Sequence, residues 1–314
     1  MKADHEFKTI RTSLPLWIEE SRKLTSRGTV ASYIPELAKA PASALGIHLL
    51  NGQGEHLSAG DCGLPFTMQS ISKVFTLILA LMDNGEEAVF SKVGKEPTGD
   101  DFNSMLKLEL VEPGIPFNPL INAGAIAVSS LIKGAGPEAK SARVLAFFRE
   151  LAANGTLDYD EAVYRSENET GHMNRSLAYF LKENEVLDGS VEEVLQVYFR
   201  HCSIRVTCGD LSRMALILAF DGYDPLTGQT LIPRRYVQIA KTFMTTCGMY
   251  NASGEFAISV GLPAKSGVSG GILTLVPGRY GIGLVGPALN GKGNSVAGVD
   301  LLEKLSASYD WSLF

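Results

Sequence analysis

The chain of 314 residues is 45% hydrophobic and 20% charged, and its 34 acidic side chains outnumber 28 basic ones for a net charge of −6. Such a composition excludes a disordered or collagen-like chain, and a protein this long buries about 75% of its unfolded surface without disulfide or metal staples. The acidic excess also argues against a nucleic-acid partner, whose phosphates need clustered Lys and Arg.

The stretch from Met1 to Lys8 has no apolar run and no small-residue cleavage site, so no export signal is expected and the cytoplasm is the expected location. Over residues 6–23, Phe7, Ile10, Leu14, Leu16 and Ile18 suggest an early helix, interrupted or kinked at Pro15. Residues 44–50 are strand-like, Asn51-Gly52 is a two-residue turn signal, and residues 55–59 would return antiparallel. From Gln69 to about Leu218 the pattern is mainly helical, over 71–82, 123–132, 142–153, 175–182, 191–201 and 211–220, with Gly85, Gly134 and Gly155 where C-cap glycines belong. The longest strongly apolar run, 74–82, is too short to cross a bilayer, so no membrane partner is expected.

The last sixty residues change character. Residues 257–260, 270–276 and 280–285 are short β-type runs, and 295–308 read as an amphipathic closing helix. Strands at both ends with helices between them predict an α+β fold, with a mainly antiparallel sheet built from both chain ends and an inserted helical region. One unit over 1–314 is expected, its sheet-containing part at about 1–64 and 256–314 and its helical part at about 65–255. Gly281-Ile-Gly283-Leu-Val-Gly286 matches a dinucleotide fingerprint, but Pro287 and a polar loop follow where a helix should open. It reads as a strand whose glycines permit close packing. Cys62, Cys202, Cys208 and Cys247 form no C-x-x-C pair, and the five histidines lack metal-ligand spacing, so reduced thiols are expected and no metal or organic cofactor.

The pattern S-x-x-K occurs at Ser70 to Lys73, Ser104 to Lys107 and Ser130 to Lys133. Helical residues three apart share a face, so a hydroxyl and an amine can meet. Only Lys73 lies in a segment that is apolar on nearly every side, where desolvation lowers an ammonium pKa toward that of a general base. Lys133 precedes Gly134 at an expected helix C-terminus and Lys107 alternates like a solvated residue, so both read as structural. The one K-[ST]-G, Lys265-Ser266-Gly267, stands late in the chain. S-x-x-K early and K-[ST]-G late is the order of the penicillin-recognising serine enzymes, which transfer acyl groups through a serine, a lysine base and a backbone oxyanion hole. In isolation that tripeptide would be a polar turn entering a hairpin.

Wider neighbourhoods stand in one order: Gln69-Ser70-Ile-Ser-Lys73, Asn118-Pro-Leu-Ile-Asn122, Ser166-Glu167 with Asn174, Tyr198 before Cys202, Cys247-Gly-Met-Tyr250, and Lys265-Ser-Gly-Val268. Together they closely resemble the serine-dependent glutaminase family, the bacterial type related to the catalytic core of kidney- and liver-type enzymes, from about Tyr33 to the C-terminal helix. The resemblance implies the fold of serine β-lactamases and penicillin-binding proteins. It also implies hydrolysis of L-glutamine to L-glutamate and ammonia through a glutamyl-serine intermediate. By motif, Ser70 would be the nucleophile, Lys73 its base and Tyr250 the residue that helps pass a proton to departing ammonia. The N–H groups of Ser70 and Val268 would form the oxyanion hole, and Tyr33, Asn122, Glu167, Asn174 and Tyr198 match substrate-binding positions. A homodimer or homotetramer is expected from relatives.

The substrate's chemistry agrees with that set. Free glutamine carries an ammonium, which suits Glu167, and a carboxylate, which suits neutral amide and phenol donors. Each residue also has a plainer reading. Ser166-x-x-Glu169 is a capping-box pattern that would put Glu167 in a first helical turn, Asn122 could be an N-cap, and Tyr33 and Tyr198 could be core aromatics. Two rival functions are a β-lactam-handling enzyme, against which the missing Ser-Asp-Asn and Tyr-x-Asn tripeptides count, and a silent amino-acid-binding protein, against which intact Ser70, Lys73 and Tyr250 count.

Overall fold

A computed structural model describes residues 2–98 and 114–314, with side chains from Glu6 onward. The Ser104 to Lys107 copy of S-x-x-K lies outside the described residues. The chain opens on α1 (Lys2–Arg22), which runs on through Pro15. Pro15 lies on the solvent side of the helix, while buried Phe7, Ile10, Leu14 and Ile18 anchor it on both sides of the proline. Leu16 is 62% exposed and takes no part in that apolar stripe.

The hairpin forms from β1 (Gly46–Asn51) and β2 (His56–Gly60). Its turn differs from the expected two-residue type. The Asn51 side-chain oxygen accepts the N–H groups of Gln53 and Glu55, and the left-handed position falls on Gly54 at φ 83°. A short β3 (Phe66–Thr67) leads through a 3-10 turn at Gln69–Ile71 into α2 (Ser72–Phe90). Helices α3 (Asn122–Ser130), α4 (Gly136–Ala152), α5 (Glu161–Thr170), α6 (His172–Glu183) and α7 (Val191–Cys202) follow. Then come β4 (Arg205–Val206), which pairs with β3, and α8 (Cys208–Ala219). A two-stranded β5 (Tyr223–Asp224) and β6 (Gln229–Thr230) precede α9 (Arg234–Cys247) and α10 (Ser253–Ser259).

The chain returns to the sheet with β7 (Ala264–Ser266), β8 (Gly271–Val276) and β9 (Tyr280–Val285), and closes on α11 (Val296–Tyr309). Strand order is β2-β1-β9-β8-β7, antiparallel throughout, so the first hairpin pairs with the last through β1 and β9. The expected sheet from both chain ends is therefore present. One face packs Ile47, Leu49, Ile272, Ile282 and Leu284 against α1 and α11, and the other packs Leu273, Leu275 and Val285 against the helical region. Burial on both faces accounts for the nearly continuous apolar run of β8. Two glycines of the false dinucleotide motif, Gly281 and Gly283, lie in β9, where a Cβ on either would come within 2.1 or 2.2 Å of α8 backbone oxygens, and Gly286 directly follows the strand.

Several local expectations give way. Residues 257–260 read as a strand, yet they belong mostly to α10, because Phe256 and Val260 are buried four apart while Ile258 is 89% exposed. Helices α5 and α9 were not anticipated, although Val237, Ala240, Phe243 and Met244 have helical spacing and are buried. Gly85 does interrupt α2, at φ 81°, but Ala153 rather than Gly155 takes the left-handed C-cap of α4, and α3 ends at Ser130 with Leu131 as its C-cap, ahead of Gly134. No helix among the described residues is long and apolar enough to cross a membrane.

Candidate active site

The turn before α2 holds Ser70, 8% exposed, immediately after Gln69 in the left-handed region at φ 48°. A non-glycine residue rarely adopts that conformation, and it bends the chain so that Ser70 opens the helix. Lys73 follows one turn later and is 1% exposed. Its Nζ donates to Asn122 Oδ1 at 2.6 Å and to the Leu120 carbonyl at 3.3 Å. Burial pushes the Lys73 amine down to about 8, and nearby Cys202 and Glu167 draw it partly back up. Lys133, in the other described S-x-x-K copy, is exposed, so tertiary context separates the two as their surroundings in sequence suggest.

Asn122 faces the site from the first position of α3. Asn118 rather than Asn122 ties down the approach to that helix, accepting the N–H groups of Leu120 and Ile121 on its Oδ1. This leaves Asn122 to accept from Lys73 and to donate through Nδ2 to Asn174 Oδ1 at 2.9 Å. Glu167 lies in the second half of α5, whose N-cap is Asp160, so the capping-box reading fails. It is 5% exposed, and burial raises its carboxyl to about 7, against the pull of the Gln69 amide and Lys73. Gln69 Nε2 lies 3.4 Å from Glu167 Oε2.

Tyr198 is buried on α7, and its phenol pKa stands well above the usual value through desolvation and the proximity of Cys202 and Glu167. Tyr33 is 57% exposed, and desolvation together with the proximity of Tyr250, Glu167 and Cys202 raises its phenol pKa likewise. Tyr250 sits in a 3-10 turn with its own left-handed backbone, φ 55°. Burial raises its phenol above the usual tyrosine range, and a hydrogen bond with Ser70 offsets part of that rise.

The K-[ST]-G tripeptide spans the end of β7 and the turn into β8. Gly267 N–H donates to the Gly271 carbonyl and Gly270 N–H to the Gly267 carbonyl, and the Val268 N–H takes part in neither bond. This turn lies against the Ser70 turn: a Cβ on Gly267 would come within 2.6 Å of the Met68 carbonyl, and Ser269 Oγ donates to the Thr67 carbonyl at 2.6 Å. The Val268 side chain packs with Ile34, Leu37, Val163 and Leu289. Clefts of about 290 and 340 Å³ flank the group, the first reaching Tyr250 and Leu120, the second Thr67 and Val268.

All nine anticipated residues come together. Two others join them without having been given a role in advance. Lys265 is fully buried, with Nζ 4.3 Å from the Tyr250 ring centroid and 2.6 Å from the Ser266 carbonyl. Gln69 supplies the left-handed turn and an amide beside Glu167. The K-[ST]-G motif signals the first. For the second, no pattern in a single sequence marks a non-glycine left-handed residue. The assembly offers a hydroxyl, an amine near neutrality, a phenol and a carboxylate in a water-poor setting, which is the equipment of acyl transfer.

Known proteins are similar to this chain over nearly its whole length. The family described as Glutaminase matches residues 28–314. Glutaminase 1 of Halalkalibacterium halodurans is 56% identical over 94% of this chain and 96% of its own, and the glutaminase of Bacillus cytotoxicus is 53% identical over 95% and 96%. The Bacillus subtilis glutaminase, solved as a covalent complex with 5-oxo-L-norleucine formed by reaction with 6-diazo-5-oxo-L-norleucine, superposes with a TM-score of 0.88 at 40% identity, covering 97% of this chain and 99% of that one. The fold is accordingly the β-lactamase-like one shared by these enzymes. The chain therefore belongs to the glutaminase family: it is an amidohydrolase acting on the side-chain amide of L-glutamine.

Proposed function

We propose that hydrolysis proceeds through a glutamyl-serine ester, with Ser70 as nucleophile and Lys73 as its base. The observation that carries this reading is the set of contacts at Lys73. A neutral amine has two N–H donors and one lone pair. Asn122 Oδ1 and the Leu120 carbonyl account for both donors, so the lone pair remains to accept the Ser70 proton. Ser70 Oγ then bonds to the amide carbon of glutamine while its proton passes to Lys73. The N–H groups of Ser70 and Val268 stabilise the oxyanion, their two turns being packed against each other. Collapse breaks the carbon–nitrogen bond, and the leaving nitrogen takes its proton from Lys73 with Tyr250 alongside, departing as ammonia. Water attacks the ester next, Lys73 accepts its proton, and Ser70 recovers its own as glutamate leaves.

Glu167 meets the substrate ammonium, while Tyr33, Asn122, Asn174 and Tyr198 hold the rest of the backbone end. Binding both charged ends favours free glutamine over a glutamine within a peptide, which would leave buried polar groups unpaired. The whole chain acts as one catalytic unit in this reading. A cytoplasmic location suits its four free cysteines. Homodimeric or homotetrameric assembly belongs to the same proposal, and sedimentation velocity tests it. For the mechanism, Ser70→Ala should abolish ammonia release with an unchanged melting temperature. The diazoketone 6-diazo-5-oxo-L-norleucine should label Ser70, and turnover in the variant or a label placed only elsewhere would remove serine from the chemistry.

A further inference from the structure

Behind the Ser70 turn lies a buried histidine with no part in the chemistry above. His201, in the last turn of α7, is 1% exposed. Its Nδ1 lies 2.7 Å from Ser72 Oγ on α2 and its Nε2 lies 3.0 Å from Ser129 Oγ on α3, both serines being fully buried. The Tyr198 ring meets it edge-on at 5.3 Å. One imidazole thus joins the helices that carry Lys73, Asn122 and Tyr198.

Hydrogen counting gives this cluster a direction. Burial, with the Lys73 charge nearby, holds the His201 pKa down to about 3, so the ring is neutral and has a single N–H. Ser72 Oγ is 2.6 Å from the Gln69 carbonyl and Ser129 Oγ is 2.8 Å from the Ala125 carbonyl. If each hydroxyl gave its only proton to a carbonyl, both ring nitrogens would need protons. One serine must therefore turn its proton to the ring, and we take the order that keeps the shorter serine–carbonyl bond: Ser72 donates to the Gln69 carbonyl, Nδ1–H donates to Ser72 Oγ, and Ser129 donates to Nε2. That carbonyl also accepts the Ser72 N–H. The peptide joining Gln69 to Ser70 is planar and trans, so its C=O and N–H point in opposite directions. Fastening the carbonyl behind the turn aims the Ser70 N–H forward.

We propose that His201 is a positioning residue for the oxyanion hole, holding the Gln69–Ser70 peptide through Ser72 so that the Ser70 N–H faces the developing charge. This rests on the oxyanion role given to that N–H above. A misaimed donor weakens the transition state and leaves ground-state binding nearly untouched.

The test measures kcat and KM for glutamine beside thermal unfolding. Ser72→Ala should lower kcat about 10–100-fold with KM within about threefold, a part of what losing one oxyanion donor costs. Ser72→Thr, which keeps the hydroxyl, should recover most of the rate. His201→Phe should resemble Ser72→Ala, and the double variant should be within about threefold of the slower single, because both cut one chain of hydrogen bonds. A folded Ser72→Ala with near-normal kcat, or losses that multiply in the double variant, would overturn the proposal. Mapping the diazoketone label on the unsubstituted enzyme separates the two failures. Label on Ser70 together with an unimpaired Ser72→Ala sinks the positioning role alone, whereas label only elsewhere sinks the ester mechanism and this inference with it.

Discussion

Lys73 and Glu167 are two buried ionisable groups displaced toward neutrality in opposite senses, Lys73 down to about 8 and Glu167 up to about 7, each chiefly by burial. A base works only when unprotonated, so kcat/KM should rise with pH through a value near 8 and level off above it, as read by ammonia release across a buffer series. Lys73→Arg keeps a permanent charge and should lower kcat by at least about 100-fold. Glu167 carries a stability consequence of definite sign. Its folded pKa exceeds the ordinary 4.5, so the native state binds more protons than the unfolded state between pH 4.5 and about 7, and stability falls as pH rises through that window. Glu167→Gln should therefore melt higher than the parent at pH 8, by up to on the order of 3 kcal/mol, with the gap closing by pH 4.5. The same variant should raise KM for glutamine, since the substrate ammonium loses its counter-charge.

Among the elements, the contact of α8 with β9 shows why a glycine-rich strand was needed. Gly283 has room for no side chain, because a Cβ would lie 2.2 Å from the Cys208 carbonyl at the start of the helix. The obstacle is backbone, which cannot swing aside. Gly283→Ala should cost about 1–3 kcal/mol of stability in denaturant titration, with the slope of the transition unchanged. The core helices were legible from their apolar faces, and so was the closing hairpin, whose strands β8 and β9 match expectation closely. Helix α10 was not, because a short run such as Ala-Ile-Ser-Val is compatible with either period until its neighbours choose one. The Asn51 turn failed for a related reason: its side chain caps two N–H groups and so stabilises a longer loop than its dipeptide suggests.

At the scale of the molecule, the two chain ends close on each other. Trp311, 2% exposed, donates through Nε1 to Glu6 at 2.9 Å and lies against Tyr280 and Tyr309. Glu6 also pairs with Arg279 at the β8–β9 turn. Trp311→Ala should cost about 3–5 kcal/mol in equilibrium unfolding and should lower activity only as far as the protein unfolds, because Trp311 packs beside α1 and takes no part in the site.

Alternation, helical spacing and ordered motifs lie along the chain, and they determined the α+β class and the sheet drawn from both ends and marked Ser70, Lys73, Asn122, Glu167 and Tyr250 as candidate site residues. The pairing of Asn122 with both Lys73 and Asn174 and the left-handed turns at Gln69 and Tyr250 were decided only by the tertiary structure. Hydrogen-bond partners far apart in sequence, and turns held against other elements, exist only once the helices and sheet have packed, so no local pattern can encode them.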